Sequence, residues 1–125
     1  MRWESLILLA LALAADYQPH PREHPQSAIT WLDHYDYCLE ANHAAVLKEE
    51  RENGDQWAAK RAVIRCWPVE AGVRGRIVDE LSNNHEKNAA ERHDIANRLI
   101  WMVATAFATR HNMKVSDLGP LSPEN

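Results

Sequence analysis

The sequence predicts an all-α protein that folds as a single compact domain, a helical bundle of about five helices. Apolar residues recur at spacings of three and four through most of the chain, which is the pattern of helices with one buried side. No stretch alternates apolar and polar residues for long enough to predict a strand. The 125 residues, 46% of them hydrophobic and 26% charged, suffice for one domain with its own core. Residues 1–125 are therefore predicted to form one domain.

The first fifteen residues, MRWESLILLALALAA, have two interpretations. The apolar run over residues 6–15 is too short to span a bilayer as a helix, so no transmembrane helix is predicted. A retained apolar helix is one interpretation, and it goes with a cytoplasmic protein. The other is the core of a signal peptide, in which case residues 1–14 are cleaved and the protein is exported.

Proline-containing segments flank the helical region. Pro19, Pro21 and Pro25 predict an extended connector over residues 17–26, because proline fixes φ and removes a backbone donor. At the other end, residues 119–125 contain two further prolines and are predicted to form a frayed tail.

An αα-hairpin is predicted over about residues 28–66. Asn53-Gly54 tolerates the left-handed conformation that ends a helix, and Asp55 is placed to cap the second helix of the pair. The second helix stops before Pro68, because the residue before a proline is pushed out of helical space. The inner side of this helix is predicted to consist of Trp57, Ala59, Ala62, Val63 and Cys66.

Two more helices are predicted after the hairpin. The first has apolar residues at a strict spacing of four, namely Val69, Val73, Ile77 and Leu81. A long C-terminal helix over about residues 84–112 follows, with Ser82-Asn83-Asn84 as its predicted start and an apolar stripe along its length.

Charge is distributed unevenly along the chain. A net charge of -4 makes nucleic acid an unlikely partner, because phosphate binding needs a basic surface. Residues 33–55 hold seven acids and two bases, whereas residues 60–76 hold five bases and one acid. The two stretches either complement each other or leave a basic surface for an anionic partner, with Arg61 and Arg65 as candidate contact residues.

Carboxylates on two helices suggest a metal site as an alternative function. Asp33, Asp36, Glu40 and His43 are spaced to lie on one helical face, and the long helix carries a second acidic pair. Hard cations such as Mg²⁺ prefer carboxylate oxygens. The ligands predicted under this alternative are Glu91, Asp94, Asp33 and Asp36. The competing interpretation is a solvated face, on which Asp94 forms a helical ion pair with Arg98.

The stretch Glu91-x-x-Asp94, followed by an apolar helix and then by residues 112–118 (NMKVSDL), is similar to the end of the MazG-like all-α nucleotide pyrophosphohydrolases. The resemblance implies an enzyme that holds Mg²⁺ between an ExxE helix and an ExxD helix and releases pyrophosphate from nucleoside triphosphates. The ExxE partner is missing where the family has it, because Glu70 is followed three residues on by Val73, and Glu80 by Asn83.

Tryptophan suggests a different function, binding to another protein. Trp101 falls on the charged face of the long helix, and a large aromatic beside charges is typical of interface hot spots. The leading hypothesis is therefore a small helical protein-binding protein of the inhibitor, immunity or adaptor type, which contacts another protein or a second copy of itself and needs no cofactor. Its candidate interface residues are Trp101, Arg98, Asp94, Glu91, Arg61 and Arg65.

The two cysteines, Cys38 and Cys66, give a third hypothesis. In an exported protein they would form one disulfide, because the extracytoplasmic environment is oxidising. In a cytoplasmic protein they would be reduced thiols.

Overall fold

A computed structural model of the protein describes residues 26–82 and 88–119. These residues form helices and turns and contain no strand, so the all-α prediction is confirmed. Residues 1–25, 83–87 and 120–125 lie outside this description. With them lie the apolar helix, most of the connector, the predicted first residues of the long helix and most of the tail that the sequence predicts. The described helices are α1 (Gln26–Glu49), α2 (Gly54–Arg65), α3 (Trp67–Leu81) and α4 (Ala89–Arg110), with two 3₁₀ helices, Arg51–Asn53 and Val115–Leu118.

The bundle is built around α1, which packs against each of the other three α-helices. Its inner side places Leu32, Tyr35 and Leu39 in the core, each no more than 1% exposed. The matching apolar residues of α4 include Leu99, Val103 and Phe107, which follow the predicted helical spacing. Within residues 26–82 and 88–119, no helix is both long and apolar enough to cross a membrane.

The hairpin of α1 and α2 forms as predicted in outline, but its connection differs. The 3₁₀ helix Arg51–Asn53 lies between the two helices, and Gly54 has φ of 85°, which favours glycine. The predicted cap is wrong: α2 already begins at Gly54, and its N-cap residue Asn53 makes no side-chain capping bond. The carboxylate of Asp55 instead contacts His43 of α1. A tertiary contact has therefore replaced the expected local one.

The inner side of α2 also differs from the prediction at one position. Ala59, Ala62 and Val63 are buried as expected, and Ala58 is buried with them. Trp57 was predicted to lie inside but is 41% exposed. The residues buried on α2 are three alanines and a valine, so this helix fits against its neighbours through small side chains, and its tryptophan lies outside.

The junction of α2 and α3 is short. Cys66 lies between the two helices, its backbone N–H donates to the carbonyl of Ala62, and its carbonyl accepts from the N–H of Glu70. Pro68 sits in the first turn of α3, where no intrahelical donor is needed. The proline thus ends one helix, as predicted, and begins the next.

The long helix α4 is described over Ala89–Arg110, within the predicted range of about 84–112, and residues 83–87, where the prediction placed its start, lie outside the described residues. It begins at Ala89 because Asn88 and Glu91 form a capping box, in which each side chain accepts from the other residue's backbone N–H. At its C-terminus Asn112 has φ of 57°, and the N–H of Met113 donates to the carbonyl of Ala108 at 2.9 Å. This is a Schellman-type ending, and it places His111 at the last turn of the helix.

Candidate functional site: an exposed face of α2 and a histidine–carboxylate cluster

The outward side of α2 carries the largest exposed apolar side chains of this helix. Trp57 and Ile64 are 41% and 42% exposed, and they lie seven residues apart on one helical face. Arg61 lies between them, with its guanidinium carbon 6.0 Å from the centre of the Trp57 ring. We call Trp57, Arg61 and Ile64 the α2 outer face. It combines two apolar side chains with a cation held over an aromatic ring.

Basic residues border the α2 outer face. Lys60 lies 3.7 Å from Asp117 in the 3₁₀ helix Val115–Leu118, and Arg65 lies 3.3 Å from Glu49 of α1. Both ion pairs are at the surface, where such pairs contribute little to stability and exchange readily. Both cations can therefore turn towards a partner that offers carboxylates.

The interface residues predicted on the long helix lie on a different surface. Trp101 is 40% exposed. Arg98 pairs with Asp94 at 3.1 Å on the same helix, both side chains being well exposed. Glu91 belongs to the capping box of α4. The structure therefore divides the six predicted interface residues between α4 and α2. The two on α2, Arg61 and Arg65, share their helix with the exposed Trp57 and Ile64.

The four carboxylates predicted to bind Mg²⁺ are not gathered in one place. Asp36 is 1% exposed and accepts from Arg110 at 2.8 Å. Arg110 lies on α4 sixteen residues after Asp94, about 24 Å along the helix axis. Asp94 pairs with Arg98, and Glu91 caps its helix. Asp33 is half-buried on α1. The predicted magnesium geometry is therefore not formed.

A shallow groove of about 380 Å³ runs beside the first half of α1, lined by Thr30, Trp31, His34 and Tyr37. The indole N–H of Trp31 donates to Glu80 at 3.1 Å, and the Arg76 guanidinium carbon lies 5.1 Å from the centre of its ring. These contacts fix the indole between α1 and α3, so we assign Trp31 a packing role.

Four polar side chains from three parts of the chain meet at the other end of α1. We call Glu40, His43, Asp55 and His111 the histidine–carboxylate cluster. His43 Nε2 lies 2.5 Å from Asp55 Oδ1, and His111 Nε2 lies 3.0 Å from Glu40 Oε1. The two imidazole rings are stacked, with centroids 3.7 Å apart, and His111 Nδ1 lies 3.5 Å from Asp55 Oδ1.

Each member of this cluster is positioned by its local structure. Glu40 and His43 are three residues apart on α1, the spacing identified from the sequence. Asp55 follows Gly54 at the start of α2, and His111 is placed by the Schellman-type ending of α4. Asp55 and His111 were not predicted in this role from the sequence. No local signal links either residue to α1, because the fold alone brings them there.

Arg110 supports the cluster from one side. Its guanidinium contacts Asp36 and Glu40, with Nη2 at 2.8 Å from an oxygen of each. Burial raises the pKa of Asp36 above its ordinary value, in spite of the nearby Arg110. Burial acts in the same direction on Glu40, but hydrogen bonds from His111 and Arg110 outweigh it and lower the pKa of that carboxyl. Glu40 is thus held as a carboxylate.

Cys38 and Cys66 form a disulfide, which joins α1 to the junction of α2 and α3. The side-chain amide of Asn42 lies 3.4 Å from each sulfur and donates to the carbonyl of Cys38 at 2.9 Å. Cys38 lies between Asp36 and Glu40 in the sequence, so the disulfide fastens the part of α1 that carries the cluster. Its sulfurs are not available as thiolate ligands while the bond is intact.

In comparisons with known proteins, no protein-family model, no curated protein sequence and no solved structure matches the chain. The similarity of residues 91–118 to the MazG-like pyrophosphohydrolases remains a prediction from those residues.

Proposed function

We propose that this is a small helical protein-binding protein whose partner contacts the α2 outer face. The supporting observation is that Trp57 and Ile64 are both more than 40% exposed on one side of a helix, with Arg61 between them. Trp and Arg are the residue types that dominate binding energy at interfaces. Large apolar side chains grouped at the surface mark contact sites more often than scattered ones do.

The architecture of α2 makes this face suitable for docking. Its buried side consists of three alanines and a valine packed into the core, and its largest apolar side chains are on the outer side. A partner that covers Trp57 and Ile64 gains the free energy of removing apolar surface from water, about 25 cal/mol per Å². The helix is already formed and packed, so little of that gain is lost to ordering the backbone.

Charge indicates the chemistry of the partner. The chain carries a net charge of -4, yet Lys60, Arg61 and Arg65 lie together on α2. The surface that complements them has an apolar centre bordered by carboxylates. We therefore propose an acidic protein as the partner. Inhibitor, immunity and adaptor roles all fit this mode of binding, and contact with a second copy of the chain is an alternative that the experiment separates.

The test begins with capture from an extract of the cells that produce the protein, followed by mass spectrometric identification of what is retained. The captured protein is then purified and titrated calorimetrically against the wild type and the double variant Trp57→Ala/Ile64→Ala. We expect this variant to raise the Kd at least about tenfold, which corresponds to 1.4 kcal/mol. Arg61→Glu should weaken binding further, because it reverses the charge that faces the acidic partner.

Trp101→Ala is the matched control, because Trp101 is equally exposed but lies on α4. Circular dichroism verifies that each variant keeps its helicity. An equal Kd for wild type and double variant would refute the assignment of the α2 outer face. If Trp101→Ala alone abolished binding, the binding surface would lie on α4. If light scattering detected only dimers of this chain, the α2 outer face would be a self-association surface and would not bind an acidic partner.

We also propose that the protein is exported, and the observation that favours export is the Cys38–Cys66 disulfide. Disulfides persist mainly in oxidising compartments, and the apolar run over residues 6–15 has the length of a signal-peptide core. Intact mass of the protein from its native cells tests this proposal. We expect the loss of an N-terminal peptide and of two hydrogens. A full-length chain with two free thiols would contradict it.

A further inference from the structure

We propose that the histidine–carboxylate cluster binds one divalent transition-metal ion such as Zn²⁺. This goes beyond protein binding and involves a different surface. Ligand atoms of Glu40, His43 and His111 lie within 4.8 Å of one another, close enough to surround a single ion. Two imidazoles and a carboxylate are a ligand set that zinc sites use. Asp55 Oδ1, 2.5 Å from His43 Nε2 and 3.5 Å from His111 Nδ1, offers a fourth donor.

The donor types determine which ions fit. Imidazole nitrogen favours Zn²⁺, Ni²⁺, Co²⁺ and Cu²⁺ over Mg²⁺, which prefers oxygen ligands only. The proposed site therefore differs from the predicted magnesium site in both ion and residues. None of Glu91, Asp94, Asp33 and Asp36 belongs to it.

The surroundings hold the donors in place. Arg110 fixes Glu40 through Nε at 3.0 Å and Nη2 at 2.8 Å, and Asp36 fixes Arg110 in turn. His43 is 6% exposed and packs edge-on against Phe107. Contacts of this kind with the ligand side chains hold them in the orientation that binds the ion and raise the affinity for the metal. The ligands come from α1, the start of α2 and the end of α4, so a bound ion would link three helices.

Charge balance also favours an ion. Glu40 and Asp55 bring two carboxylates to one pair of stacked imidazoles, and the charge of Arg110 is shared between Glu40 and the buried Asp36. A divalent cation takes the place of the hydrogens that now link His43 to Asp55 and His111 to Glu40. Asp55 is 41% exposed, so an ion has a route of entry from solvent.

The experiment uses the disulfide-bonded protein as purified from its native cells, after treatment with a chelator. Zn²⁺ is titrated calorimetrically, and Co²⁺ is followed by its visible absorption, which reports coordination number and nitrogen ligation. We expect one equivalent to bind with micromolar or tighter Kd, and Tm to rise by several degrees with excess Zn²⁺. His111→Gln should raise the Kd for Zn²⁺ at least about tenfold, because even the loss of a residue that only orients a ligand weakens metal binding by about that factor.

The matched control is His93→Gln, which removes an exposed histidine near the start of α4, away from the cluster. His111 lies at a helix end, so its replacement should leave the fold intact. Asp55→Asn provides a second variant that keeps the shape of the side chain. Binding of Zn²⁺ that is unchanged in both His111→Gln and Asp55→Asn would overturn the proposal. So would the absence of heat and of any Tm shift at 1 mM Zn²⁺, a concentration about a thousandfold above micromolar Kd.

Discussion

In the described part of the bundle, one arginine–carboxylate cluster lies around Arg74 and another around Arg110. In the first, Glu70 is 0% exposed, and its carboxylate lies 2.6 Å from Arg74 Nη2. Arg74 also donates from Nε to Asn97 of α4 at 2.6 Å. In the second, Arg110 contacts Asp36 and Glu40, but the network continues through two histidines to Asp55 at the surface.

The difference between the clusters separates a structural role from a binding role. Glu70 in the Arg74 cluster is fully buried, and Arg74 joins α3 to α4 through its bond to Asn97. Tyr35 is buried beside it, and its pKa is raised by burial and then by the charge of Glu70. The Arg110 cluster instead has nitrogen and oxygen donors on its solvent side. Removing one partner of a buried ion pair destabilises the fold because the other charge is left without compensation. Histidine and carboxylate side chains that reach solvent can instead bind an ion.

The largest effect is expected from breaking the ion pair between the buried Glu70 and Arg74. Glu70→Ala leaves Arg74 partly buried without its carboxylate, and the loss should be about 3–5 kcal/mol in the free energy of unfolding. Urea denaturation measures it. Zn²⁺ affinity at the Arg110 cluster should change little in the variant that remains folded, because Glu70 contributes no ligand to it.

The chain offers a close control for this prediction. Asp94 and Arg98 have the same spacing as Glu70 and Arg74 but are 67% and 47% exposed. Asp94→Ala should therefore cost only about 0.2–0.5 kcal/mol. Equal losses of unfolding free energy in the two alanine variants would contradict the distinction between a pair with a buried carboxylate and a pair at the surface.

The sequence predicted the helices better than it predicted the polar clusters. Helical periodicity located α1 to α4 because burial of an apolar stripe is a local, repeating requirement. It missed Glu70, although Glu70, Val73 and Ile77 share one side of α3, because a charged residue is not expected among buried ones. Trp57 was also predicted to lie inside, because periodicity does not report that α2 packs against its neighbours through its alanines.

The candidate site was predicted only in part, for a related reason. Glu40 and His43 were recognised as neighbours because one helix carries both. Asp55 and His111 come from other helices, and no single-sequence pattern reports such distances. The alternative magnesium site requires the carboxylates of α1 and α4 to meet, but Asp36 pairs with Arg110 and the exposed Asp94 pairs with Arg98.

Removal of the disulfide is expected to have a smaller effect on stability. Unlike Glu70→Ala, it should affect the Arg110 cluster and leave the Arg74 cluster intact. The bond closes a loop with a sequence separation of 28, so the double variant Cys38→Ser/Cys66→Ser should lose about 3.5 kcal/mol of unfolding free energy. Cys38 lies on the segment of α1 that carries Asp36, Glu40 and His43, so the same variant should also bind Zn²⁺ more weakly than wild type. Arg74 and Glu70 both lie on α3, so their contact should persist.

Wild-type protein in reductant should reproduce both losses. A variant that is destabilised but binds Zn²⁺ with unchanged affinity would show that the ligands on α1 are positioned by Arg110 and the helix ends alone, and that the disulfide stabilises the bundle without shaping the site.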